Sequence, residues 1–150
     1  PFEEPIWISG LPRLHVDVST ATVGGQIYAL LEDCSEAGDC IHIGHAIMDL
    51  RYHEGGTQEQ TWIPVFQTIN AKMEFFAMDA QIEAGHYLRL SLASTGEDYL
   101  PASTSSIVQI SEGSSSNLIL DTIQEVDKLL FDPPPCTHPY CQDWLNQTVE

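Results

Sequence analysis

Positive charge is what this sequence has least of. Five Lys and Arg stand against 22 Asp and Glu, a formal net charge of −17 at pH 7. The cations Arg13, Arg51, Lys72, Arg89 and Lys128 are scattered rather than clustered. Polyphosphates and anionic lipids are held by clustered cations, so nucleic acid and membrane surfaces are excluded as partners. Long apolar runs are missing too: no stretch of 18 or more apolar residues occurs, and insertion of a helix into a membrane is not expected. The chain opens Pro1-Phe2-Glu3-Glu4, with no Met and no basic-then-apolar leader. That start suggests a leader already removed, or a segment of something longer. The acidity reads as solubility in an extracellular medium.

Signatures of catalysis are equally scarce. An acyl-transfer serine needs a strained turn such as Gly-x-Ser-x-Gly, and none is present. Ser114-Ser115-Ser116 lacks the flanking glycines and reads as a polar hairpin loop. Of the six histidines, only His42-Ile43-Gly44-His45 holds a close pair; His15, His53, His86 and His138 are isolated. Residues three apart in a regular strand face opposite sides, and a chelating strand pair wants i, i+2, so no metal site is expected. Nothing singles out two of the 22 acids as a glycosidase pair. Glu32-Asp33, Glu97-Asp98 and Asp79 offer oxygen ligands for a structural calcium, and no other cofactor is indicated. No catalytic residue is assigned.

What is present is a core. The 150 residues are 43% hydrophobic, which fits one domain able to bury its apolar surface. Alternation dominates: Leu14, Val16 and Val18 face one way, His15, Asp17 and Ser19 the other. Further strands are predicted at 27–31, from 41 to about 52, across 73–79, at 87–92, 106–110 and 117–120. Pro64 demotes Trp62–Phe66 to an edge or a crossing segment. Residues 54–61 and 94–105 read as polar surface loops. A capping box at Thr122-Ile123-Gln124-Glu125 predicts one short helix, which stops before Pro133-Pro134-Pro135. The fold class is therefore all-β, a jelly roll or β-sandwich of seven or eight strands. Residues 1–123 form the β-sandwich domain and 124–150 a helix and proline-rich tail.

Four cysteines form two short pairs, Cys34 with Cys40 and Cys136 with Cys141. Neither has the Cys-x2-Cys spacing that zinc prefers, and local disulfides are the favoured reading. Disulfides imply an oxidising compartment, secreted, extracellular or periplasmic. The Cys34–Cys40 loop with its flanking strands reads as a hairpin stapled at its tip. Trp7, Trp62 and Tyr99 are the candidates for an exposed ligand face, with carbohydrate as the ligand to consider.

The order of segments carries a resemblance. Trp7-Ile8-Ser9-Gly10-Leu11-Pro12 comes first, and Gln26 to Asp33 follows an alternating strand. His42-Ile43-Gly44-His45-Ala46 then runs into Leu50-Arg51-Tyr52, and Gly85-His86-Tyr87-Leu88-Arg89-Leu90 and Ser116-Asn117-Leu118-Ile119-Leu120 close the series. Over about residues 6–120 this order resembles the C-terminal β-sandwich domain of the X-Pro dipeptidyl-peptidase and cocaine-esterase family of serine hydrolases. The resemblance implies a galactose-binding-like jelly roll packed on an α/β-hydrolase domain that holds the catalytic triad. It carries no catalytic residue onto this chain. The family's domain begins with strands upstream of the matched ones, so a partner strand, from a hydrolase domain or from another copy, is expected to complete the sheet. The functional expectation is a non-catalytic accessory domain of a peptidase or esterase. The alternatives are a secreted carbohydrate-binding or adhesive module, and an extracellular assembly subunit joined by strand exchange.

Overall fold

The computed structural model describes residues 1–22, 24–55, 57, 65–96, 99–100, 107–111, 113 and 115–123. Ten strands run through them: β1 Ile6–Gly10, β2 Arg13–Thr20, β3 Gln26–Cys34, β4 Cys40–Asp49, β5 Ile69–Glu74, β6 Met78–Ile82, β7 Tyr87–Ala93, β8 Val108–Ser111, β9 Asn117–Ile119 and β10 Thr122–Ile123. The only helical element among the described residues is a 3-10 turn at Leu50–Tyr52. Its N-cap Asp49 accepts a hydrogen bond from the Arg51 backbone N–H at 2.9 Å.

Two strands set the architecture. On β2, Leu14, Val16, Val18 and Thr20 are buried while the residues between them are more open. On β3, Ile27, Ala29, Leu31 and Asp33 are buried, and Tyr28, Leu30 and Glu32 turn outward. Period-two burial means one wet and one dry face per strand. β2 is central to one sheet, ordered β5-β2-β8 with β9 also on β2, and β3 is central to another, β4-β3-β7. Their dry faces meet in one core, which also takes in Ala46, Leu50, Ala71, Met73 and Phe75. Each large aliphatic side chain withdrawn there from water is worth roughly 1.5–3 kcal/mol. The result is an all-antiparallel β-sandwich.

The third sheet, β10-β1-β6, repeats the order β9-β2-β5. It is the same three chain segments continued past a bend. Between the pairs Gly10–Met78 and Arg13–Glu74, two residues (Leu11, Pro12) oppose three (Phe75, Phe76, Ala77). Such an unequal count bends paired strands. Gly10 takes φ 131° at the bend, a conformation that side-chain-bearing residues rarely adopt. The Phe75 N–H donates to the Pro12 carbonyl at 2.9 Å, and the Ser9 N–H to the Asp121 carbonyl at 3.1 Å, so the corner stays tied.

Several expectations need correcting. Residues 73–79 are not one strand: β5 ends at Glu74 and β6 starts at Met78, with Phe75 buried and Phe76 outside. Apolar alternation cannot register a corner at which both sheets stay apolar. Thr122 and Ile123 do not open a helix; they pair as β10 with Ile8 and Trp7. Tertiary pairing here outweighs a local capping signal. Val65 and Phe66 lie in a turn rather than a strand, and Phe66 stands 79% exposed at φ 60°. Trp62–Pro64, Glu97-Asp98, the segment from 124 to 150 and the Cys136/Cys141 pair lie outside the described residues. The stapled hairpin is present: Cys34 and Cys40 are register partners and are joined by a disulfide.

Candidate functional site

The outer face of β4-β3-β7 carries a ring-lined hollow of about 650 Å³. Its floor follows from register. Outward Tyr28, Leu30 and Glu32 of β3 stand opposite Ala93, Ser91 and Arg89 of β7. On the other side, Leu30 is opposite His45 and Glu32 is opposite His42. The pairing skips Ile43, because Leu31 pairs with Gly44 and Glu32 with His42. One extra residue is a β-bulge, and it resets which way the side chains point. His42 and His45, three apart, therefore share a face. This corrects the expectation that they diverge. The usable signal was Gly44, an isolated glycine within a strand pattern, which often marks a bulge. Its missing Cβ leaves room for the Met78 side chain.

An aromatic cluster adjoins the hollow and shares Tyr28 with it. The ring of His45 stacks on Tyr28 at 5.7 Å and meets Phe76 edge-on at 5.1 Å and Tyr99 edge-on at 5.7 Å. His45 Nε2 lies 2.9 Å from the Tyr99 hydroxyl, and His45 Nδ1 lies 3.2 Å from His42 Nε2. The Thr95 hydroxyl donates to the Tyr99 carbonyl at 2.9 Å and so holds the cluster in place. Gly96 closes over Tyr28 so tightly that a Cβ would come within 2.5 Å of the ring. Phe76 remains 59% exposed.

Charge at this face is already matched. Arg89 donates to both Glu32 oxygens, at 2.8 and 2.9 Å. That fork holds the Glu32 carboxyl below the usual carboxylate range and raises the Arg89 guanidinium above its own. On β3 the neighbouring Asp33 turns inward and is engaged by His86. Among the described residues, no group of three or more His, Cys, Asp or Glu gathers at one point.

A second groove, of about 620 Å³, lies over the other sheet, where Arg13, His15, Lys72 and Glu74 meet Asp49 and Tyr52. Of the candidate ligand-face residues, Tyr99 belongs to the aromatic cluster beside the hollow. Trp7 is on β1, opposite Gln81 and Ile123 in the bent sheet. Trp62 is outside the described residues. Tyr28 and Phe76 were missed, and His45 was weighed only as half of a pair expected to diverge, because their convergence depends on the bulge and the corner.

Comparison with known proteins adds a frame. Residues 1–124 match the family described as the X-Pro dipeptidyl-peptidase C-terminal non-catalytic domain. No curated protein matches. Among solved structures, a CocE/NonD family hydrolase from Staphylococcus aureus superposes with a TM-score of 0.67 at 12% identity, over 81% of this chain and 29% of that one. An aminopeptidase from the marine sediment archaeon Thaumarchaeota archaeon gives 0.67 at 13%, over 82% and 24%. An alpha-amino acid ester hydrolase gives 0.67 at 19%, also over 82% and 24%. The likeness is one of fold, and the chain spans about a quarter of the length of these proteins.

Proposed function

This chain belongs to the family of X-Pro dipeptidyl-peptidase C-terminal non-catalytic domains, and on that premise we propose that it packs as an accessory domain against a peptidase or esterase catalytic domain. The observation that carries the contact is the aromatic face of β4-β3-β7. Phe76 stands exposed beside the Tyr28–His45–Tyr99 cluster and the apolar hollow. Contiguous apolar surface of this kind is uncommon on a free-standing soluble domain, and aromatic rings are enriched at the centres of interfaces. The Cys34–Cys40 disulfide supports a secreted or periplasmic setting.

The test begins with the coding sequence beside this one. An α/β-hydrolase with a nucleophile elbow supports the reading, and its purified catalytic domain should then co-elute with this chain. Phe76→Asp, at an exposed position, should weaken that association while leaving the melting temperature unchanged. Equal association of Phe76→Asp and wild type would overturn the choice of face. Binding to a glycan array without association would favour the carbohydrate-module alternative instead.

One observation favours a second reading, the joining of copies through strand addition. Among the described residues β7 pairs only with β3 and stands at the sheet's edge, the position at which strand addition occurs. On the other sheet Ile110 of β8, opposite buried Val18, is still 42% exposed. Light scattering distinguishes the two, because a monomer at high concentration excludes strand exchange between copies.

A further inference from the structure

The aromatic face holds one relationship that docking does not require: two imidazoles aim nitrogens at each other. His42 Nε2 and His45 Nδ1 are 3.2 Å apart. Two zinc–imidazole bonds of about 2.05 Å enclosing a near-tetrahedral angle place their nitrogens about 3.3 Å apart. The observed spacing, which an N–H···N hydrogen bond also satisfies, is that of two ligands on one ion. From this geometry we infer that His42 and His45 form a two-histidine site for a borderline divalent transition ion, Cu2+, Ni2+ or Zn2+.

The positions are set by backbone as well as by side-chain rotation. The bulge at Ile43 brings both residues to the outer face, opposite Glu32 and Leu30. Tyr99 supplies the next layer. With the His45 proton on Nε2 and donated to the Tyr99 hydroxyl at 2.9 Å, the Nδ1 lone pair faces His42. A metal-binding histidine is commonly fixed through its other ring nitrogen in this way. His42 completes the pair by carrying its proton on Nδ1, which leaves Nε2 free. The chain's net charge of −17 favours cations over this surface. Glu32 is forked onto Arg89, and no third protein ligand gathers among the described residues, so water fills the remaining positions. The chain itself carries both ligands, so the site does not depend on any docking at this face.

Calorimetric titration of Cu2+ and of Zn2+ into the whole chain, in a non-chelating buffer, tests the site. One ion per chain should bind, copper more tightly than zinc. His42→Gln and His45→Gln should each weaken binding by at least about tenfold, and Tyr99→Phe by a smaller factor. His15→Gln, on the other sheet, should change nothing. A measurement free of mutation uses the ring resonances of the unaltered protein, where Zn2+ should shift those of His42 and His45 first. No saturable binding would overturn the inference. So would unchanged affinity in both glutamine variants, or first shifts at other histidines.

Discussion

His86 Nδ1 lies 2.8 Å from Oδ1 of the buried Asp33, linking the turn before β7 to the end of β3. The two residues are 53 apart in sequence and come from two of the segments that carry the family resemblance. The Asp33 side chain is nearly enclosed, while the His86 ring is partly open to solvent.

That asymmetry sets the expected costs of breaking the pair. His86→Ala leaves a buried carboxylate with its main partner gone and should destabilise by about 2–3 kcal/mol. Asp33→Asn keeps an acceptor and should cost less. Chemical denaturation of both single variants and the double variant checks this, and additive losses would show that the pair is not coupled.

The disulfide should matter modestly. Cys34 and Cys40 are only six apart, so the bond restrains a short loop in the unfolded chain. Replacing both with Ala should cost about 2 kcal/mol, a fall in Tm of several degrees. Scanning calorimetry of the double variant measures it, and an unchanged Tm would show the staple to be inert.

Acid should unfold the domain. The carboxyls of Asp17, Glu32 and Asp49 are each held below their ordinary values: Asp17 by Ser115 and Asn70, Glu32 by Arg89, Asp49 by Arg51. A folded-state value below the unfolded one gives stability that is complete above the usual carboxylate range and lost as pH falls through it. Tm should therefore drop as pH goes below about 4. At neutral pH, where the chain carries −17, raising salt to about 0.5 M should increase Tm by screening self-repulsion. A Tm flat in both pH and salt would contradict this balance.

Gly96 should report on the aromatic cluster. A Cβ there would strike the Tyr28 ring, which is rigid and cannot fold away as a long side chain can. Gly96→Ala should alter the near-ultraviolet circular dichroism and reduce Tm, while the far-ultraviolet spectrum stays that of a β-protein. Identical near-ultraviolet spectra would mean that the loop does not clamp Tyr28.

The sandwich was legible because one-sided burial writes itself into a strand as alternation. Leu14-Val16-Val18 and the apolar core of β3 showed it plainly. The hairpin staple was legible because its cysteines flank a turn. The corner at Phe75–Ala77 was not, since a bend that keeps apolar residues on both sides of it leaves the pattern unbroken. Nor was β10, two residues held by pairing with β1 rather than by any preference of their own. The aromatic cluster was the hardest part. Tyr28, His45, Phe76 and Tyr99 come from four separate stretches; Tyr99 was singled out for exposure and His45 only as half of a pair expected to diverge.

The bulge at Ile43 also gives β4 two reading frames. Cys40 to His42 count from the hairpin tip, Gly44 to Asp49 from the core, and Ile43 absorbs the offset between them. Lineages could gain or lose a residue here and keep both frames, with the cystine and the histidine pair still opposite their partners on β3. An alignment that forbids a gap at this point would misplace every residue on one side of it.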